Sequence, residues 1–183
     1  MAVIGAGPVT EAFRAQAGGE VDLVGTVLAV SRIPYGRPAE LSARGVIAAW
    51  RGTCSTKHIL LAALFEETWP EVPVSLWHRV YKVSATWAAA HWGSEVASTV
   101  PAAGLVDIHT YARADLGSGA LVIDVTFPID RWDGTSETVL ACGPGTDHLA
   151  GPEPLKKKAA LVARHCDPEV REPFIAALTS MCR

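Results

Sequence analysis

The sequence contains no long apolar run. None of its stretches approaches the roughly 20 apolar residues that a membrane-spanning helix requires. Residues 1–20 also lack the basic start and the apolar stretch that together mark a signal peptide. We therefore expect a protein that does not associate with membranes and that works in the cytoplasm.

Positive charge is not in excess either. The 183 residues include 16 Lys and Arg against 19 Asp and Glu, which gives a net charge of −3. This balance leaves no surplus of cations to neutralise phosphates, so it disfavours nucleic acid as a partner. Apolar residues make up 49% of the chain, which excludes disorder as the main state. The length favours one folded domain over residues 1–183, with two small domains as the alternative.

The sequence contains few cysteines, and their spacing matches no paired-cysteine motif. The four cysteines are Cys54, Cys142, Cys166 and Cys182, and they form no C-x-x-C pair and no metal-finger pattern. Because no export signal is recognised, we do not expect a disulfide framework. Each thiol is therefore considered by itself.

The pattern of apolar and turn-forming residues predicts an α+β fold with an antiparallel sheet. Thr53 suits a helix N-cap, and the apolar helix that follows is expected to end before Pro70. Gly117 and Gly119 can supply the positive φ angles of a hairpin turn. The predicted helical or mixed segments are 9–16, 21–32, 54–69, 85–100, 154–165 and 168–181, of which 85–100 is either a short helix or an irregular insertion. The predicted strands are 74–83, 105–114 and 120–127. Residues 132–151 are predicted to be a loop.

Cys54 stands in the first turn of the predicted helix that follows Thr53. Unpaired backbone N–H groups and the positive end of the macrodipole at a helix start favour an anion, and a thiolate is such an anion. Cysteines in this position have a lowered pKa and act as nucleophiles. The alternative is that Cys54 is a small apolar residue beneath a core helix.

The predicted hairpin supplies a histidine and a carboxylate on one face. His109 shares a face of its strand with Asp107, and Asp124 faces the same way on the next strand. A turn centred between Leu116 and Gly117 puts His109 directly opposite Asp124, whereas a register shifted by two residues makes them diagonal neighbours. Either arrangement lets the carboxylate orient the imidazole. The alternative is a hydrogen bond that only stabilises the sheet.

Three short segments carry a resemblance to a known family. Residues 50–58 read Trp-Arg-Gly-Thr-Cys-Ser-Thr-Lys-His before an apolar helix, residues 107–111 read Asp-Ile-His-Thr-Tyr, and residues 122–126 read Val-Ile-Asp-Val-Thr. In this order they resemble the nucleophile, histidine and aspartate segments of the transglutaminase-like superfamily, distant relatives of papain. The resemblance covers roughly residues 45–130. It implies a catalytic helix packed on an antiparallel sheet and a Cys54–His109–Asp124 triad.

The resemblance also implies acyl transfer through a thioester. Cys54 attacks an acyl carbon, His109 carries the proton, and Asp124 orients His109. The N–H of Cys54, together with a donor from Trp50 or Tyr35, would hold the oxyanion. The implied substrate is a small-molecule or peptide acyl compound, with an amine or water as acceptor. No cofactor is expected, and no acidic cluster has calcium-loop spacing.

Several alternatives remain open. His58 lies one helical turn after Cys54. It is therefore a further candidate for contacting the substrate or the oxyanion, and it could also act as a local base or as one ligand of a metal site. The favoured role is that of a buried polar residue. A cysteine peptidase or isopeptidase of the same fold, and an inactive binding module, are the other functions. The tryptophans of residues 69–92 fit ordinary packing or an aromatic wall over the nucleophile. Residues 3–10 match a dinucleotide-binding loop only weakly.

Overall fold

The computed structural model describes residues 7–20, 22–117 and 119–181. In this part of the chain helices combine with an antiparallel sheet, which confirms the predicted α+β class. The helices are α1 (Pro8–Ala17), α2 (Leu23–Ser31), α3 (Ala43–Ala49), α4 (Cys54–Thr68), α5 (Ala85–Ala97), α6 (Pro154–His165) and α7 (Pro168–Met181). The strands are β1 (Val74–Val83), β2 (Leu105–Asp115), β3 (Ala120–Ile123) and β4 (Gly145–Leu149), in the sheet order β3-β2-β1-β4.

The chain divides into two compact units. The first consists of the described parts of Met1–Trp77 and Thr110–Ala141, and the second of the described parts of His78–His109 and Cys142–Arg183. The divisions fall inside β1 and β2, so each of these strands contributes residues to both units. A single domain over the whole chain stays a prediction.

Helix α4 is the centre of the first unit. Helices α1, α2 and α3 all pack against it. A helix with neighbours on several sides buries residues all round instead of along one stripe, and α4 follows this pattern. The apolar core that results includes Phe13, Val27, Val30, Val46, Leu60, Leu61, Leu64, Phe65, Ala112, Ile123 and Val125.

Local sequence determines where α4 begins and ends. Thr53 is the N-cap, and its N–H donates to the Thr56 hydroxyl at 2.9 Å while the Thr56 N–H donates back to the Thr53 hydroxyl at 3.5 Å. This reciprocal capping box satisfies two backbone donors that a helix start would otherwise leave unpaired. Trp69 is the C-cap, and Pro70 follows it. The helix predicted between Thr53 and Pro70 is confirmed.

The two glycines of the predicted hairpin turn between β2 and β3 have the expected backbone conformation. Gly117 and Gly119 both have positive φ angles, 93° and 106°. The two strands are antiparallel, with Ala112 opposite Ile123. This is the register shifted by two residues, so the alternative with His109 directly opposite Asp124 is wrong.

Strand β3 is shorter than predicted, since it ends at Ile123 and not at residue 127. The backbone donors that follow are used elsewhere in the first unit. The Asp124 N–H donates to the Thr138 hydroxyl at 2.7 Å, and the Val125 N–H donates to the His58 ring at 3.0 Å. The chain therefore leaves the sheet one residue before the carboxylate.

Helix α3 lies in a segment for which no element was predicted. Ser42 caps its start, because the Ser42 hydroxyl accepts the Gly45 N–H at 3.0 Å. With only seven residues, the helix is too short to show a clear helical period in the sequence.

Strand β4 corrects the prediction of a loop over residues 132–151. Its sequence, Gly-Thr-Asp-His-Leu, lacks the alternation of apolar residues that signals a strand, because β4 lies at the edge of the sheet. Gly145 permits a close approach, since a Cβ there would lie 2.2 Å from the Val80 carbonyl oxygen. Arg79 and Asp147 add a two-point ion pair at 2.7 and 2.8 Å.

The helices of the second unit agree with the predicted segments. Helix α5 packs against α7, where the Trp92 and Phe174 rings lie 5.5 Å apart. Gly93, with a φ of 85°, kinks α5 between two helical pieces. Helices α6 and α7 have the predicted bounds.

None of the helices formed by the described residues combines the length and the apolar character needed to cross a membrane. Residues 3–6 of the weak dinucleotide-loop match lie outside the described residues. The rest of that match enters α1, where the Glu67 carboxylate accepts the N–H groups of Val9 and Thr10 at 3.2 and 2.7 Å.

His78 makes the stability of the second unit depend on pH. Burial, and then the charge of Lys158, lower the pKa of His78 from 6.5 to about 4, while Nε2 donates to the Pro154 carbonyl at 2.9 Å. Between pH 6.5 and 4 the unfolded chain binds a proton that the folded chain does not bind. The free energy of unfolding should therefore fall by roughly 2 kcal/mol as the pH drops through this window. Urea titrations at several pH values measure it.

The matched variants for this prediction are His78→Gln and His165→Gln, since His165 is exposed. The first should flatten the difference between pH 6.5 and 4, and the second should leave it unchanged. An equal pH dependence in His78→Gln and the original protein would contradict the prediction.

Candidate functional site

Cys54 is the first residue of α4 and is 7% exposed. Its Sγ lies 4.0 Å from the Ser55 hydroxyl, and that hydroxyl lies 3.0 Å from the Thr110 hydroxyl on β2. Among the described residues, Cys54, Cys142 and Cys166 form no disulfide bond, and Cys182 lies outside the described residues. A thiol therefore stands at the positive end of a helix whose first turn contacts the sheet, as the sequence predicts.

Lys57 holds the first turn of α4 from inside the first unit. Its side chain is fully buried, and the ammonium donates to three backbone carbonyls, those of Ser31 at 2.8 Å, Ile33 at 2.8 Å and Thr126 at 2.9 Å. An ammonium has three donors, so these bonds use all of them. One buried cation thus joins the end of α2, the segment after it and the segment after β3.

Gly52 leaves the space that the Lys57 side chain occupies. A Cβ at Gly52 would lie 2.6 Å from Lys57 Cγ and 3.1 Å from the Thr56 hydroxyl oxygen. The glycine before the predicted nucleophile is therefore explained by the path of the lysine stem.

His58 is fully buried, and backbone groups define the protonation of its ring. Nδ1 lies 2.5 Å from the Cys54 carbonyl oxygen, which can only accept, so Nδ1 carries a proton. Nε2 accepts the Val125 N–H at 3.0 Å, so Nε2 carries none. His58 is therefore a neutral imidazole. This geometry agrees with the favoured buried polar role and does not direct the ring at a substrate.

Asp124 is 3% exposed and lies one residue beyond β3. Oδ1 accepts the Thr126 N–H at 3.0 Å, and Oδ2 accepts the Ala141 N–H at 2.8 Å. Asp124 Oδ1 also lies 3.6 Å from His58 Nε2. Because Nε2 has no proton to donate, this last distance is a contact and not an ion pair. The carboxylate thus organises the backbone that Lys57 and His58 bind.

His109 belongs to the second unit, and its place is on β2 next to the division. It is 4% exposed, and its ring lies edge-on to Tyr81 with centroids 6.5 Å apart. The Tyr81 hydroxyl donates to Asp107 at 3.4 Å, and Asp107 pairs with Arg171 at 2.7 Å. The meeting of Cys54 with His109 stays a prediction.

The other two candidate residues lie in the first unit, on segments near the start of α4. Tyr35 forms a parallel bridge with Gly52, two residues before Cys54. Trp50 ends α3 with a φ of 44°, in the left-handed region that non-glycine residues rarely adopt, and its ring lies 6.0 Å from that of Phe13. Neither is assigned an oxyanion contact by these observations.

Sequence reasoning missed Lys57 and Thr126. The signal for Lys57 was a charged residue one turn after the cysteine, directly before the mainly apolar part of the helix. Thr126 is 3% exposed, and its hydroxyl has no hydrogen-bond partner among the described residues. No sequence pattern distinguishes such a hydroxyl.

Comparison with protein-family models, with curated proteins and with solved structures finds no match. Within residues 7–20, 22–117 and 119–181, no three or more His, Cys, Asp or Glu side chains gather in a group that could hold a metal ion. The chemistry of the site therefore has to be argued from its own residues.

Replacing Lys57 should destabilise the first unit strongly. Lys57→Met keeps the length of the stem but leaves three buried carbonyls without their donor, so we expect the free energy of unfolding to fall by roughly 3–5 kcal/mol. Urea denaturation followed by circular dichroism measures the change. Lys157→Met, on the exposed face of α6, is the control and should be nearly neutral. A small effect of Lys57→Met would contradict the proposed contribution of the three Lys57 hydrogen bonds to stability.

The protonation of His58 can be observed directly. Long-range proton–nitrogen NMR correlations on ¹⁵N-histidine-labelled protein should show Nδ1 protonated and Nε2 unprotonated at pH 7. His58→Gln identifies the resonance by its disappearance. A proton on Nε2, in either the other tautomer or the imidazolium, would contradict the hydrogen bonds described above.

Proposed function

We propose that the protein is a cysteine-dependent acyl-transfer enzyme of transglutaminase-like fold, with a covalent thioester on Cys54. The observation that carries the proposal is the place of Cys54 as the first residue of a helix whose start is fixed by Lys57 and His58. A helix N-terminus favours the thiolate, and a thiolate is the form that attacks.

In the proposed reaction, Cys54 Sγ attacks the acyl carbon of an amide or thioester. The C–S bond forms as the bond to the leaving amine or thiol breaks, and His109 moves the thiol proton to that leaving group. An amine or a water then attacks the thioester carbon, the C–S bond breaks, and His109 passes the proton of the amine or water to Cys54 Sγ. The atoms balance without a cofactor.

Asp124 is proposed to orient the His109 imidazole. Asp124 also accepts two backbone N–H bonds, those of Thr126 and Ala141. Asp124 therefore supports the backbone as well, so a substitution at this residue would change both the stability of the fold and the proposed activity. His109 is the cleaner residue to test.

The oxyanion would be held at the start of α4. The capping box pairs the N–H groups of Thr53 and Thr56, and the N–H of Cys54 is the donor that we propose for the oxyanion. Backbone donors at a helix start are suited to a developing oxyanion. Tyr35 and Trp50 are the alternative sources of a second donor.

The substrate that we propose is a small acyl or amide compound. A cysteine peptidase or isopeptidase is the main alternative, and an inactive binding module is the other. The three differ in the first step, since an inactive module forms no acyl adduct.

The test is acylation of the intact protein. Incubation with p-nitrophenyl acetate should add the mass of one acetyl group to Cys54, as located by peptide mass spectrometry, and hydroxylamine should remove it as expected for a thioester. His109→Ala should slow acylation by about 10²–10⁴-fold, the usual contribution of general base catalysis.

Two cysteine variants make the assignment specific. Cys54→Ala should abolish the adduct, whereas Cys166→Ala should not, because burial and then the charge of Asp107 raise the pKa of the Cys166 thiol and disfavour its thiolate. An adduct that forms equally on Cys142 or Cys166, or an unchanged rate in His109→Ala, would overturn the proposed function.

A further inference from the structure

Two aromatic rings of the first unit pack against each other near the start of α4. The rings of Tyr35 and Phe127, called the aromatic pair below, have centroids 5.6 Å apart and an interplanar angle of 32°. Both side chains are partly exposed and are absent from the buried core. Part of the apolar surface of both rings is therefore exposed.

The backbone of Tyr35 is tied to the segment that leads into Cys54. Gly36 N–H donates to the Gly52 carbonyl at 3.2 Å, and Gly52 N–H donates to the Pro34 carbonyl at 3.0 Å. Bridged residues lie about 5 Å apart, and two further residues span at most about 7 Å. The Cα of Tyr35 is thus within about 12 Å of the Cα of Cys54, which is the range of an enzyme pocket.

The backbone next to Phe127 is tied to the first two turns of α4. The Thr126 carbonyl accepts from the Lys57 ammonium, and the Val125 N–H donates to His58. Since the Lys57 ammonium also binds the Ile33 carbonyl, the segments that carry both rings share one anchor. The aromatic pair is therefore held at a constant position relative to Cys54.

A buried hydroxyl adjoins the pair in sequence. The Thr126 hydroxyl is inaccessible and has no hydrogen-bond partner within the described residues. Leaving such a group unpaired costs about 1–3 kcal/mol, so an acceptor oxygen that reached this hydroxyl would recover that free energy. A bound molecule with an acceptor oxygen is such a partner.

We infer that the aromatic pair is the acyl-binding wall of the Cys54 site, and that its ligand is an acyl group with an aromatic or extended apolar carbon skeleton. The Thr126 hydroxyl donates to the carbonyl side of that ligand. The inference rests on the proposed role of Cys54. It narrows the substrate class from acyl compounds in general to those with a bulky apolar acyl part.

Alkylation tests the wall without requiring acyl transfer. Cys54 displaces iodide from iodoacetamide or from its N-phenyl derivative, forming a C–S bond as the C–I bond breaks, and peptide mass spectrometry gives each rate. The rate with the N-phenyl derivative is divided by the rate with iodoacetamide, and this ratio is divided by the same ratio for glutathione. The result should be about 10 in the original protein, because apolar contact of about 1.4 kcal/mol is a tenfold effect. Tyr35→Ala and Phe127→Ala should each bring it close to about 1.

Tyr35→Phe should keep the ratio, since it removes only the hydroxyl. Trp69→Leu truncates an aromatic residue at the other end of α4, about 20 Å away, and should also keep it. Thr126→Val should slow both reagents equally. Circular dichroism checks folding, and Tyr35→Leu and Phe127→Leu replace any alanine variant that does not fold.

A ratio near 1 in the original protein, or the same ratio in Tyr35→Ala and Phe127→Ala, would overturn the inference while Cys54 acylation could still stand. A high ratio that falls in both variants, with no acyl adduct on Cys54 from any ester, would instead preserve the wall and reject the proposed function. Unchanged rates in Thr126→Val would remove the hydroxyl from the site.

Discussion

One buried ammonium holds the first unit together at the point where its chemistry is proposed. Lys57 places a full positive charge in the interior, which is costly unless every donor finds a partner. Three carbonyls from two separate stretches of chain supply those partners. The same side chain requires a glycine at residue 52. The start of α4 is therefore held by the Lys57 hydrogen bonds as well as by its own capping box.

A second set of bonds acts on the same backbone. His58 accepts one N–H from the segment after β3, and Asp124 accepts two more around it. Together with Lys57 they convert the end of a β-hairpin into a rigid support for a helix start. Such rigidity suits covalent catalysis, because a nucleophile gains from being held in one orientation. It also explains why β3 stops where it does.

The residues of the proposed triad therefore differ in what surrounds them. Cys54 and Asp124 share the polar network at the start of α4, whereas the His109 ring lies edge-on to Tyr81 in its own unit. The Tyr81 hydroxyl in turn donates to Asp107, which pairs with Arg171. Asp124 has a structural task that is visible without any substrate. In the proposed site, the aromatic pair adds an apolar surface beside polar groups. A nucleophile with one apolar flank discriminates substrates by the size of the acyl group.

Elements governed by local rules were predictable from the sequence. Thr53 and Pro70 delimit α4, two glycines make the hairpin turn, and the last two helices follow from their prolines and periodicity. The short α3 and the polar edge strand β4 lack those signals. The hairpin register was open by two residues, because glycines permit several turns while packing selects one.

The candidate nucleophile was readable from the sequence, since its position at a helix start depends only on the capping residue before it. The sequence also supplied a lysine and a histidine just after it, without their roles. Those roles were decided by tertiary structure, because the carbonyls and N–H groups that Lys57 and His58 bind come from distant segments. Hydrogen-bond partners far apart in the chain depend on how the elements pack, which no local pattern encodes.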